Sequence, residues 1–255
     1  MSVYSCDGTF NGFLCLLHES SRRGEVPDSI LCGEDAQPLF FSPVEAPRDE
    51  DLAFRVRNAL LARIPGRALT TAWYTLLSSL PDRGMTAYRY LSLAWSRGRD
   101  GGEDLANPVI WRAFEARRAV SRERHRFLGL LRFSAVGGIL YAPFEPEADL
   151  LPLLGGHFAS RLGGERWIIH DTRRNRAAVY SRPSWRIADF RLPRGLSLPE
   201  EEKSFRELWK RYFSSIAVES RLNPGLQRHF MPKKYWGRLV EKEPPGGGTG
   251  PRQEP

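Results

Sequence analysis

The hydrophobic residues of this chain change their spacing twice. Up to residue 126 they recur every three or four positions, which is typical of amphipathic helices. Between residues 127 and 182 they form short runs, and from residue 199 the helical spacing returns. These changes predict an α+β fold with a helical part at 1–126, a sheet-containing part at 127–182 and C-terminal helices at 199–242.

The chain is long enough to bury a core, with 255 residues of which 41% are hydrophobic. We therefore predict a single domain over residues 1–242. Residues 243–255 consist mainly of glycine, proline and charged residues, and they are predicted to be a disordered tail.

Local signals predict where the N-terminal elements start. Val3–Cys6 is interpreted as a short strand, and Thr9 as the N-cap of the helix that follows it. Asp49 begins an acidic run that favours a helix start, and Asn107 followed by a proline favours another. A further short strand is predicted at Leu39–Phe41, inside a loop rich in proline and glycine.

Two hairpins are predicted in the central part. The first joins residues 127–133 to Ile139–Ala142 across two glycines, and the second joins Trp167–His170 to Ala177–Tyr180 across a basic turn. A helix capped by Asp149 lies between them in the sequence. The centre is therefore predicted to be a β-β-α-β-β unit with an antiparallel sheet.

A strongly periodic helix is predicted after Pro199. Its apolar stripe contains six large residues: Phe205, Leu208, Trp209, Tyr212, Phe213 and Ile216. Two shorter helical pieces are predicted to begin at Asn223–Pro224 and at Met231–Pro232.

Basic charge is concentrated in the C-terminal half. The net charge of the chain is +8, and residues 161–238 alone carry 18 Lys and Arg against 8 Asp and Glu, a net charge of +10. Such a segment attracts polyanions, because each phosphate that is neutralised releases condensed counterions. An arginine-rich composition of the source proteome is the alternative explanation.

Several classes of protein are not indicated. There is no basic and apolar leader and no run of about 18 apolar residues, so we expect no membrane insertion and a cytoplasmic location. The three cysteines lack a metal-binding spacing and are expected to be reduced. Motifs for a phosphate-binding loop, a serine nucleophile or an iron–sulfur cluster are not found, and no metal or other cofactor is expected.

Basic, amide and aromatic residues supply the candidate nucleic-acid contacts. Basic side chains hold phosphates, whereas aromatic rings stack on unpaired bases. A packed core with a solvated charged face explains the same residues without nucleic acid. The candidates are Arg126, Arg132, Arg173, Arg174, Arg176, Asn223, Gln227, Arg228, Lys233, Lys234, Tyr235 and Trp236.

Catalytic chemistry has weaker signals. Glu145, Glu147 and Asp149 lie close in sequence and could hold a divalent metal for nuclease chemistry, but capping and solvation also explain them. His170 is followed by Asp171, and a structural role is the alternative for this pair. No catalytic residue is assigned.

Four stretches together resemble a bacterial family labelled as DNA repair or DNA metabolism proteins. They are residues 4–12 (YSCDGTFNG), 125–133 (HRFLGLLRF), 137–157 (GGILYAPFEPEADLLPLLGGH) and 223–236 (NPGLQRHFMPKKYW). The family pattern has an aromatic residue where this chain has Cys6.

The resemblance implies that the chain works in DNA metabolism with a partner. Members of the family are encoded beside a radical-SAM protein for DNA modification or repair, and some are fused to a uracil-DNA-glycosylase-like domain. We therefore expect a DNA-binding accessory protein without independent activity. The alternatives are a nuclease or glycosylase that uses carboxylates such as Glu145, Glu147 or Asp171, and a scaffold that binds only proteins.

Overall fold

A computed structural model describes residues 2–33, 42–100, 102–191, 200–215 and 223–242. Contacts within the chain divide it into two compact units. Unit 1 contains Met1–Arg122 and Glu147–Asp149, and unit 2 contains Glu123–Pro146 and Leu150–Pro255. The predictions of one domain and of a disordered tail are not tested by this division, and the tail lies outside the described residues.

Unit 1 combines helices with a small parallel sheet. The sheet has the order β2-β1-β3, and it joins Cys6 of β1 to Cys32 of β2 as neighbours in register. Both cysteines are buried and are not joined by a disulfide, with 3.8 Å between their sulfur atoms. The elements are β1 (Val3–Cys6), α1 (Phe10–Arg23), β2 (Ser29–Cys32), β3 (Val44–Glu45), α2 (Glu50–Arg63), α3 (Gly66–Leu77) and α4 (Arg83–Arg97).

The helix starts predicted near Thr9 and Asp49 are confirmed. The side chain of Thr9 accepts a hydrogen bond from the Gly12 amide at 3.0 Å, and Asp49 accepts one from the Leu52 amide at 2.9 Å. Each bond satisfies an amide that has no partner within its own helix. Strands β2 and β3 were not predicted, and the strand predicted at 39–41 lies outside the described residues.

The prediction of a strand at residues 127–133 is wrong. Helix α5 runs from Pro108 to Leu130, and the Leu131 amide still donates to the Phe127 carbonyl at 3.2 Å. Phe127 is buried against Phe144 and Tyr235. One face of helix α5 is enough to place Phe127 in this packing. The short apolar run is therefore explained by a helix and does not require a strand.

Unit 2 contains a five-stranded mixed sheet of order β4-β5-β6-β7-β8. The predicted second hairpin is confirmed, because β6 and β7 pair antiparallel. The first hairpin keeps its two-glycine turn at Gly137 and Gly138, both with positive φ, but its strands are β4 and β5. The elements are β4 (Ser134–Val136), β5 (Ile139–Phe144), α6 (Leu151–Arg161), β6 (Trp167–Asp171), β7 (Arg176–Ser181) and β8 (Ser184–Asp189).

The predicted antiparallel β-β-α-β-β sheet is wrong in two respects. Strands β5 and β6 are parallel, and β8 adds a strand that the prediction lacked. The parallel pair follows from α6, because a helix between two neighbouring strands returns the chain to the end at which the first strand began. Asp149 does not cap α6: Leu150 occupies the N-cap position and makes no side-chain cap bond.

Helix α6 packs closely against the sheet of unit 2. A Cβ atom at Gly155 would lie 2.4 Å from the ring of Trp185, so this contact requires glycine. Trp167 is fully buried and stacks on Tyr180 with 5.3 Å between ring centroids.

The C-terminal part of unit 2 is helical, as predicted. It contains α7 (Glu200–Ser215), α8 (Pro224–Phe230) and two 3-10 helices at Lys233–Arg238 and Val240–Lys242. Among the described residues, no helix is both long and apolar enough to cross a membrane.

The predicted apolar stripe of α7 is exposed where the structure describes its side chains, and Ile216 lies outside the described residues. Phe205 is 67% exposed and Leu208 59%, and Tyr212 is also exposed. Helix α7 contacts β4 through Arg206, which donates to the Ser134 hydroxyl at 2.7 Å.

Candidate nucleic-acid interface

The arginine turn between β6 and β7 is built around a buried carboxylate. Asp171 is 0% exposed and accepts hydrogen bonds from the amides of Arg173 and Arg174 at 3.0 and 3.2 Å. The guanidinium of Arg174 also binds Asp171, at 2.9 Å, and donates to the Pro146 carbonyl. Arg174 therefore stabilises the turn, Arg176 is half-buried, and Arg173 is the exposed arginine of the three.

Arg132 is likewise engaged inside unit 2. Its guanidinium lies 2.7 Å from Glu241, whose side chain is only 3% exposed. The Trp209 indole donates to the same carboxylate at 3.1 Å. Burial acts to raise the pKa of Glu241, but the hydrogen bonds from Arg132, the backbone and Trp209, together with the positive charge of Arg132, hold the pKa below its usual value.

The 3-10 helix Lys233–Arg238 contains both core residues and surface residues. Tyr235 is buried and packs edge-on against Phe127 with 5.1 Å between ring centroids. Burial and the neighbouring carboxylate of Glu123 raise the pKa of Tyr235, while a hydrogen bond from Arg126 acts in the opposite direction. Tyr235 is therefore a core residue of unit 2, and its ring is not available for stacking on a base.

Trp236 is half-buried. Its indole donates to the Met231 carbonyl at 2.9 Å, and the Lys242 ammonium lies 4.8 Å from the ring centroid. Both contacts are made within the chain, and together they use the indole N–H and one face of the ring.

Lys233 and Lys234 are exposed on this 3-10 helix. The ammonium of Lys234 lies 5.1 Å from the ring centroid of Tyr235, whose hydroxyl interacts with Arg126. Tyr235 therefore brings Lys234 and Arg126 to the same part of unit 2, although they are more than 100 residues apart in sequence.

Helix α8 contributes less than its sequence indicated. The Asn223 side chain accepts from the Leu226 amide at 2.9 Å and is the N-cap of the helix. Arg228 is exposed and donates to the Pro224 carbonyl, and Gln227 is half-buried.

Sequence reasoning missed Arg238 and Tyr141, and it considered His170 only together with Asp171. The Tyr141 hydroxyl lies 2.7 Å from Nδ1 of His170, which is buried. Arg238 is exposed, and its guanidinium reaches the Thr172 hydroxyl at 3.4 Å. Strand alternation was the available signal, because it places His170 and Asp171 on opposite faces of the sheet. The partner of His170 therefore had to be sought on another strand.

The environment of this pair keeps both groups neutral. Burial lowers the pKa of His170 to about 4, and the positive charge of Arg238 acts in the same direction. Burial also raises the pKa of Tyr141 to about 12, against the smaller opposing effect of Arg238.

The carboxylates considered for catalysis differ in their burial. Asp171 is buried and paired, whereas Glu145 and Glu147 are exposed. Within the described ranges, no group of three or more His, Cys, Asp or Glu side chains is placed to hold a metal ion.

Three exposed cations, Lys233, Lys234 and Arg238, lie on the 3-10 helix of unit 2, and Arg126 is half-buried beside Tyr235. We call these four residues the C-terminal basic surface. Of the neighbouring carboxylates, Glu123 is buried, and the side chain of Glu241 is buried and paired with Arg132.

The fold and this surface define an α+β protein with a cationic face on its second unit. The chain belongs to the family DUF4130, a domain of unknown function, whose profile matches residues 81–241. The match includes the whole C-terminal basic surface. Comparisons with curated proteins and with solved structures gave no match.

Proposed function

We propose that this chain is a DNA-binding accessory protein for DNA repair or DNA metabolism, and that its C-terminal basic surface holds the nucleic-acid backbone. The observation that carries the proposal is the position of Lys233, Lys234 and Arg238, which are exposed on one short 3-10 helix. Arg126 lies beside them through Tyr235. Cations held on a fixed segment neutralise phosphates and release counterions without ordering a long loop.

Phosphate contacts are the kind of recognition that this surface supports. Tyr235 is buried and Trp236 is held by Met231 and Lys242, so stacking on bases has little support among the predicted aromatic residues. We therefore propose binding that depends on backbone charge more than on sequence.

A separate enzyme is the second part of the proposal. The exposed apolar stripe of α7, with Phe205, Leu208 and Tyr212, is typical of a protein-binding surface. The sequence resemblance supports a radical-SAM DNA-modification protein or a uracil-DNA-glycosylase-like domain as the partner.

DNA binding is tested by fluorescence anisotropy with labelled single-stranded and double-stranded oligonucleotides at several salt concentrations. We expect the logarithm of the affinity to fall linearly with the logarithm of the salt concentration for the full chain. Affinity that does not change with salt, or no binding at low salt, contradicts the proposal.

The partner is tested separately by co-purification with a radical-SAM protein of the kind that is encoded beside members of the resembled family. Leu208→Glu places a charge in the exposed stripe of α7 and should abolish co-purification while DNA affinity stays unchanged. Glu207→Gln, on the same helix and also exposed, is the matched control. Retention of the partner by the Leu208 variant would show that α7 is not the docking surface.

A further inference from the structure

Helix α5 carries an open groove in unit 1, and the residues that line it do not belong to the C-terminal basic surface. It has a volume of about 500 Å³. Its lining residues are three, four, seven and eight positions apart, so they share one helical face. They are Phe114, Arg117, Arg118, Ser121 and Arg122.

The groove is cationic. Arg122 is exposed, and no ion pair of this side chain is found in the described part of the chain. Arg117 donates to the neutral hydroxyl of Thr71 at 3.0 Å, which leaves its charge uncompensated. Arg118 pairs with Glu115 at 2.8 Å, but both side chains are exposed, and such pairs are weak and exchange readily.

The remaining lining residues are suited to a nucleotide unit. The Phe114 ring packs edge-on against Tyr90 with 6.4 Å between centroids and presents a half-buried aromatic surface. Ser121 adds a hydroxyl that can donate to a phosphate oxygen. Volumes of roughly 300–1,000 Å³ are usual for sites that hold small ligands, so the groove has room for a phosphate with its sugar or base.

We propose that this groove on α5 is a second phosphate-binding site, and that it holds phosphates of a nucleic-acid strand independently of the C-terminal basic surface. Arg118 and Arg122 are one helical turn apart, about 6 Å along the axis. That separation suits two neighbouring phosphates of a strand better than one phosphate held in a fork. The inference rests on the proposed function, because it takes nucleic acid as the source of the phosphates.

The test is the variant Arg118→Gln/Arg122→Gln in the full chain, measured with a labelled single-stranded thymidine oligonucleotide. Loss of two phosphate contacts should reduce the salt slope by about 1.4, which weakens binding about 25-fold at 0.1 M salt if the affinities are equal at about 1 M. Arg55→Gln/Arg57→Gln is the matched control, because it removes two exposed arginines of α2 and should have little effect. Equal thermal melting of the two variants shows that the fold is retained.

Further arms separate this inference from the proposed function. The variant Lys233→Gln/Lys234→Gln should keep the part of the salt slope that comes from the groove. When it is combined with the α5 variant, the two decreases in slope should add. Calorimetric titration with tripolyphosphate examines the groove without nucleic acid, and we expect weak binding that the α5 variant loses.

Each result supports or contradicts either the groove on α5 or the proposed function. Oligonucleotide binding that is unchanged in the α5 variant overturns the inference but leaves the proposed function standing. If the wild-type chain binds no oligonucleotide, the proposed function fails. If it then still binds tripolyphosphate through the groove, the phosphate site stands and nucleic acid as its source is overturned; binding of neither probe overturns both.

Discussion

The turn at Arg173–Arg176 and the 3-10 helix at Lys233–Arg238 are both short and basic, yet the structure uses their charges differently. In the turn, Arg174 is tied to Asp171, which is fully buried. In the 3-10 helix, Tyr235 is buried and the two lysines that begin the helix, Lys233 and Lys234, are exposed. A basic segment therefore supplies charge for binding a ligand only where the carboxylates that could pair with its cations lie elsewhere in the fold.

The largest expected effect is on the turn. Asp171→Ala removes the acceptor of two backbone amides and leaves the Arg174 guanidinium without its buried partner. We expect the free energy of unfolding to fall by about 3–5 kcal/mol in urea titrations. Asp189→Ala, at an exposed position of β8, is the control and should change it by less than about 0.5 kcal/mol. Equal stability of the two variants would remove the structural distinction between the turn and the 3-10 helix.

The next effect concerns His170, which lies beside Arg238 of the 3-10 helix. Its pKa is about 4 in the folded protein and near 6.5 in the unfolded chain, so between these values the unfolded chain binds more protons. Stability should therefore fall as the pH is lowered from 6.5 to 4, by up to about 3 kcal/mol from this group. His170→Gln should lack this component when urea unfolding is measured at several pH values. The same pH dependence in both proteins would show that His170 does not cause it.

A smaller effect is expected at Trp236. Because its ring is half-buried, Trp236→Ala should lower the free energy of unfolding by about 2 kcal/mol, less than the loss for a fully buried tryptophan. DNA affinity should be unchanged, because Met231 and Lys242 already occupy the indole. Trp236→Phe should recover most of the stability. A selective loss of single-strand binding in the folded alanine variant would instead show that the ring stacks on bases.

The sequence predicted the fold best where the signal is local. Thr9 and Asp49 cap their helices with side chains that act within three residues, and the turn at Gly137–Gly138 requires positive φ. The end of α5 was predicted wrongly, because the apolar run from Phe127 fits both the helical and the strand spacing. Only its packing partners distinguish the two. Strands β2 and β3 were missed because short parallel strands depend on neighbours far away in sequence.

The candidate site was predicted only in part for the same reason. Lys233 and Lys234 were identified from composition, but the buried position of Tyr235 depends on Phe127, and Arg132 is held by Glu241 more than 100 residues later. Arg238 was missed because its partners, Thr172 and the Tyr141–His170 pair, are assembled by the sheet.

The most direct test of the C-terminal basic surface is the salt dependence of DNA binding by Lys233→Gln/Lys234→Gln. These exposed charges contribute little to folding, so stability should change by less than about 1 kcal/mol. With a double-stranded oligonucleotide, the slope of log affinity against log salt should decrease by about 1.8, which corresponds to two phosphate contacts. The Arg55→Gln/Arg57→Gln control should keep the wild-type slope. A folded lysine variant with the wild-type slope would contradict the assignment of this surface as the phosphate-binding face.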